Sequence, residues 1–63
     1  MKINDLVRVY NDPIEGHIKI PDGQLGVLKE IVGRAGSQVK VQFPGKPILT
    51  WWTTDVSSVD YHK

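Results

Sequence analysis

Gln38-Val39-Lys40-Val41-Gln42-Phe43 alternates polar and apolar residues without a break. Successive side chains on a strand point to opposite faces, so Val39, Val41 and Phe43 share one face and Lys40 and Gln42 the other. That is the pattern of a half-buried strand, and it sets the fold class as β. Pro44-Gly45-Lys46-Pro47 follows as a tight turn, with Gly45 expected at positive φ. The next run, 48–53, reads Ile-Leu-Thr-Trp-Trp-Thr and is rich in strand formers. On a regular strand, one of the adjacent Trp51 and Trp52 faces the core and the other faces away.

Working outward, Asn4-Asp5 reads as a turn into a first strand at 5–10. Val7 and Val9 point inward there, with Leu6, Arg8 and Tyr10 on the other face. Residues 11–23 form a long polar connection, opened by Asn11-Asp12-Pro13 and closed by Pro21-Asp22-Gly23. Within it, Ile18 and Ile20 alternate with His17 and Lys19, as a short edge piece folded over one end of the domain would. Gln24 to Val32 is the second long strand. Gly26 suits a close backbone approach or a bulge. Leu28 and Ile31 break strict alternation, and a bulge between them would bring both inward. A helix is the competing reading of 25–32; the glycines at 23, 26 and 33 and the β-branched residues favour strand. Gly33 to Ser37 reads as a flexible hairpin loop. Thr54 to Ser58 reads as one helical turn, capped by Thr53 or Thr54, with Val56 as a plug. Val59-Asp60-Tyr61 closes as a last short strand, and His62 and Lys63 fray.

Length and composition restrict the object further. Sixty-three residues make one domain, 1–63. A domain of that size buries only ~60% of the surface its unfolded chain exposes. With no Cys, neither a disulfide nor a thiolate metal site supports it. Eight Lys and Arg against seven Asp and Glu leave a formal net charge of +1, with no basic run along the chain. Avid, purely electrostatic nucleic-acid binding needs clustered cations, so this balance ranks it second. The first residues do not read as a signal peptide and no segment approaches the ~20 apolar residues of a membrane span. A soluble cytoplasmic protein is the expectation.

Asn4-Asp5-Leu6-Val7-Arg8-Val9, then Gly26-Val27-Leu28-Lys29-Glu30-Ile31, then Val39-Lys40-Val41-Gln42-Phe43 resembles the SH3-like barrels of the KOW and Tudor type. Those open with Gly-Asp-x-Val-x-Val and continue with Gly-x-Val-x-x-Ile. The ending Thr53 to Val59 is similar to their closing turn and strand. The resemblance implies an all-β, five-stranded SH3-like barrel with a long first loop and a short 3-10 turn before the last strand. Similar patterns occur in small accessory subunits of photosynthetic complexes, in ribosomal proteins and in transcription factors. Asn4 stands where the motif has Gly, and the connection 11–23 is longer than its turn.

No arrangement of residues reads as catalytic. His17 and His62 have no ligand-spaced partners, so neither a metal nor a cofactor is expected. Asp12, Glu15 and Asp22 gather in a loop too exposed to raise a carboxyl pKa for acid–base work. Gly33 to Gly36 lacks the phosphate-loop pattern. Arg8, Lys29, Lys40 and Lys46 interleave with acids, as on a solvated mixed-charge surface. Tyr10, Trp51, Trp52 and Tyr61 suggest an aromatic groove, with both tryptophans packed as the alternative. A complete methyl-lysine cage, with Asp55 or Asp60 as its acid, asks much of five aromatics. The sequence therefore predicts a non-enzymatic binding module or small accessory subunit. Its contact surface is drawn through the exposed Trp, Arg8, Tyr10, Tyr61 and the loop bearing His17. The partner is another protein, as a peptide segment or a larger complex. A nucleic-acid-binding KOW-like role in transcription or translation is the alternative, and a second copy could also cover the Trp.

Overall fold

Residues 1–15 and 18–59 are described by the computed structural model. Expectations for His17, Asp60, Tyr61, His62 and Lys63 lie outside the described residues. Five strands form: β1 (Leu6–Val9), β2 (Gln24–Val32), β3 (Gln38–Gln42), β4 (Leu49–Trp52) and β5 (Val56–Ser58). All pairings are antiparallel, in one sheet of order β4-β3-β2-β1-β5. The fold is all-β; the only helical pieces among the described residues are 3-10 turns at Arg34–Gly36 and Thr53–Asp55.

Strand parity sorts the side chains as the alternation requires. Val7 and Val9 of β1, Val39 and Val41 of β3, and Leu49 and Trp51 of β4 are buried. They join Leu28, Phe43, Val56 and the loop residue Ile20 in one core, with Ile18 packed against it. Residues from both outer strands, β4 and β5, thus meet in a single cluster. A flat sheet of five strands at ~4.8 Å spacing would hold them too far apart, so this sheet must curl around its core. No ladder joins β4 to β5 among the strand pairings. The 3-10 turn Thr53–Asp55 connects them, and the loop covers part of the opening with Ile20.

Register explains the irregular spacing in β2. Pairing with β3 shifts between Leu28 and Glu30, so Lys29 is the extra residue of a bulge. Leu28 faces Val41 and Ile31 faces Val39, which places both on the core side as expected. Only Leu28 is buried, however. Ile31 stays 43% exposed because it sits near the end of the sheet, beside Gly36, which has no side chain to cover it. The bulge sits at Lys29, and Gly26 serves close approach instead. A Cβ on Gly26 would lie 2.6 Å from the Phe43 ring and 2.7 Å from a Val41 methyl.

Three local expectations shift. The 3-10 turn is Thr53–Asp55 and β5 is Val56–Ser58, where one helical turn over 54–58 was expected; of the strand expected at 59–61, only Val59 lies among the described residues, just past β5. Val56 has extended backbone (φ −128°, ψ 134°), and its N–H closes the turn on the Thr53 carbonyl. Neither threonine caps the turn: the Thr53 hydroxyl donates to the Gly36 carbonyl instead. Residues 33–37, expected as a flexible loop, wind into a 3-10 turn with Ala35 in the left-handed region at φ 57°. Gly45 takes φ 73° as the tight turn demands.

Two substitutions test this packing. Gly26→Ala forces a methyl into Phe43 and Val41, and a loss of about 1–3 kcal/mol is expected in urea denaturation. Ala35→Gly relieves a left-handed alanine and should raise stability by about 1 kcal/mol in the same assay.

Candidate partner-binding site

The strand bearing both tryptophans divides cleanly. Leu49 and Trp51 point into the core, which leaves Ile48, Thr50 and Trp52 on the outer face. Trp51 has no accessible surface, whereas Trp52 is 49% exposed. The Trp51 ring meets Phe43 edge-on, with centroids 5.5 Å apart at 71°. Its indole Nε1–H donates to the Asn11 carbonyl at 3.3 Å. A contact surface drawn through both tryptophans therefore reduces to Trp52, because Trp51 is enclosed.

Asn11 joins the long loop to the rest of the chain. It holds a left-handed backbone, φ 66°, which asparagine tolerates better than most residues. Its N–H donates to Asp22 Oδ1 at 2.8 Å and its side-chain amide to Asp55 Oδ1 at 3.0 Å. Further along, the Ile14 N–H donates to the Thr50 carbonyl of β4 at 2.7 Å. Asp22 and Asp55 thus hold the loop and the 3-10 turn together. Asp12 forms an exposed ion pair with Lys19 at 3.9 Å, a contact worth little in water.

The outer face runs in cross-strand rows. Trp52 lies opposite Gln38, which lies opposite Val32. Thr50 lies opposite Lys40, and Lys40 opposite Glu30, so Lys40 is a diagonal neighbour of Trp52. Arg8 lies between Leu25 and Ser57, and its Nη1 donates to the Gly23 carbonyl at 2.8 Å. Leu25 and Val32 are seven residues apart on β2, a span of ~23 Å on a straight strand. Trp52 and Arg8 accordingly occupy different rows of the sheet. Tyr10, partly exposed just past β1, is tied through its N–H to the Asp55 carbonyl at 2.8 Å. Tyr61 and His17 lie outside the described residues. Of the four-aromatic groove, Tyr10 and Trp52 remain as described surface members.

Acids and bases divide between the loop and the strands. The loop, with the 3-10 turn bound to it, carries Asp12, Glu15, Asp22 and Asp55 against Lys19. The other described residues carry Lys2, Arg8, Lys29, Arg34, Lys40 and Lys46 against Asp5 and Glu30. The acids thus gather on the loop and its turn, while the strands carry Arg8, Lys29 and Lys40 against Glu30, with Arg8 reaching the loop at Gly23. Among the described residues, no three His, Asp or Glu side chains gather as metal ligands would. No helix among them is long and apolar enough to cross a membrane. Two shallow hollows indent the surface. One of about 190 Å³ is lined by Glu15, Ile48, Leu49 and Thr50. The other, about 240 Å³, lies between Val27, Lys29, Gln42 and the turn Phe43-Pro44-Gly45. Both fall below the ~300 Å³ at which small-molecule sites begin. Ile48 and Asn11 escaped notice in the sequence. For Ile48 the signal was there, since polar Thr50 marks the Ile48–Thr50–Trp52 set as outward.

The tryptophans should part in thermal and urea denaturation. Trp51→Ala is expected to cost about 3–5 kcal/mol, enough to unfold a marginal domain. Trp52→Ala should stay within ~0.5 kcal/mol of the parent protein. No protein-family model matches this chain, and no curated protein or solved structure matches it.

Proposed function

We propose that this protein is a non-catalytic binding module or small accessory subunit, acting in the cytoplasm, that holds another protein through the outer face of β4. The observation that carries the reading is Trp52. Its neighbour Trp51 fills the core and makes the structural hydrogen bond. Trp52 adds an indole that stays 49% exposed on the outer face. With Ile48 it leaves an apolar stripe on an outer strand, interrupted only by Thr50. Exposed aromatic anchors of this kind dominate binding energy at protein interfaces. The resemblance to KOW and Tudor barrels supports a binding role as well, without choosing the partner.

One observation favours nucleic acid as a second reading. Lys40 sits diagonally beside Trp52, and the strands carry Arg8, Lys29 and Lys40 against Glu30 alone. An indole to stack a base and a neighbouring ammonium for phosphate is a common single-strand arrangement.

Affinity capture from native lysate, with and without nuclease, separates these readings. Under the first, a protein band survives nuclease and disappears with Trp52→Ala, a loss of at least ~2 kcal/mol in binding with the fold intact. Under the second, recovery depends on nucleic acid, falls steeply with salt and drops with Lys40→Glu. Recovery unchanged by Trp52→Ala rejects both.

A further inference from the structure

We infer that the outer face of β1 and β2 is a second docking surface, separate from Trp52, for an apolar segment of another protein flanked by carboxylates. These two strands are flanked on both sides within the sheet, where an antiparallel sheet with one solvated face ordinarily shows polar residues outward. Here Leu6 faces Val27 and Leu25 faces Arg8. Leu6 is 41% exposed and Leu25 38%, with Val27 half-buried between them and Gln42. The 240 Å³ hollow opens directly beside Val27, so the apolar strip continues to Pro44. It has room for a side chain rather than for a ligand.

The rim identifies the occupant. Arg8 stands next to Leu25, Lys29 lines the hollow, and Lys46 follows Gly45 in the turn beyond it. Three carboxylates that neighbour the patch in sequence or register are already engaged or opposed, and one of them, Asp22 beside the Gly23 that Arg8 binds, accepts from the Asn11 N–H. Asp5 accepts from the Lys2 N–H at 2.8 Å, and Glu30 lies opposite Lys40. An apolar surface with a basic rim selects an apolar segment with acidic flanks, since like charges brought together across an interface are strongly unfavourable. A symmetric second copy would set the same cations against each other. A nucleic acid would find the phosphate-binding charge but no exposed aromatic ring among the described residues of this patch on which to stack a base, since Phe43, at the hollow, is only 2% exposed.

The test uses the full chain, isotope-labelled for amide NMR. The probes are a short peptide with Leu-Ile-Leu-Phe between glutamate pairs, the same peptide with lysine pairs, and an oligo-dT strand. The glutamate peptide should shift the amides of Leu6, Arg8, Leu25, Val27, Gln42, Phe43 and Gly45 and bind at least ~10-fold tighter than the lysine peptide. Trp52→Ala should bind it as the parent does, which separates this surface from the one proposed above. Leu25→Ser should abolish the shifts. The double variant Lys29→Glu with Lys46→Glu, both at exposed positions, should reverse the preference between the two peptides. Equal response to both peptides, shifts confined to Trp52, response to oligo-dT alone, or concentration-dependent shifts of the protein by itself at these amides would each overturn the inference.

Discussion

The buried indole of Trp51 is what the rest of this small structure is arranged around. It is among the largest fully buried side chains, and its ring meets Phe43 in the edge-on geometry that aromatic quadrupoles favour. Burying an indole leaves an N–H that must find an acceptor, since an unpaired buried donor costs about 1–3 kcal/mol. The acceptor is the Asn11 carbonyl, forty residues away in sequence. To present it, Asn11 turns left-handed and its own donors go to Asp22 and Asp55. One hydrogen bond from the core thus fixes the entrance of the long loop, a second closes the loop on Asp22, and a third attaches it to the 3-10 turn before β5.

Phe43 links this arrangement to the opposite side of the sheet. Its ring lies against Trp51 and over the bare backbone of Gly26, so β2 can approach only because that position has no side chain. Three residues further, the bulge at Lys29 resets the parity of β2, and the strand serves two stretches of core with different spacing. A domain of this size reaches a closed hydrophobic interior by such close approach rather than by mass.

The elements legible in the sequence were those with uninterrupted alternation. Val39, Val41 and Phe43 read directly as an inward face, and β2 was bounded at Gln24 and Val32 by the glycines around it. Val56 to Ser58 was read as part of a helical turn because Thr-Thr-Asp-Val carries both turn and strand propensity. What decided it was the pairing of Val56 with Val9 across β1, a non-local contact. For the candidate site, that one tryptophan would be exposed followed from parity, while its identity followed from Val39 pairing with Trp51. Polar Thr50 was the local sign. The separation of Arg8 from Trp52 was not legible, because it arises from which strands are neighbours.

The hydrogen bond from Ile14 to Thr50 has a consequence for how the protein behaves in a crowded solution. β4 is an outer strand, and its free side presents backbone groups at Ile48, Thr50 and Trp52 with apolar side chains beside two of them. Such an edge is a template on which another strand can grow. Ile14 occupies the central carbonyl, so an incoming strand meets an edge already interrupted at its midpoint. The loop is thereby a guard against edge-to-edge aggregation. The apolar stripe on β4 can stay exposed without inviting indefinite sheet extension.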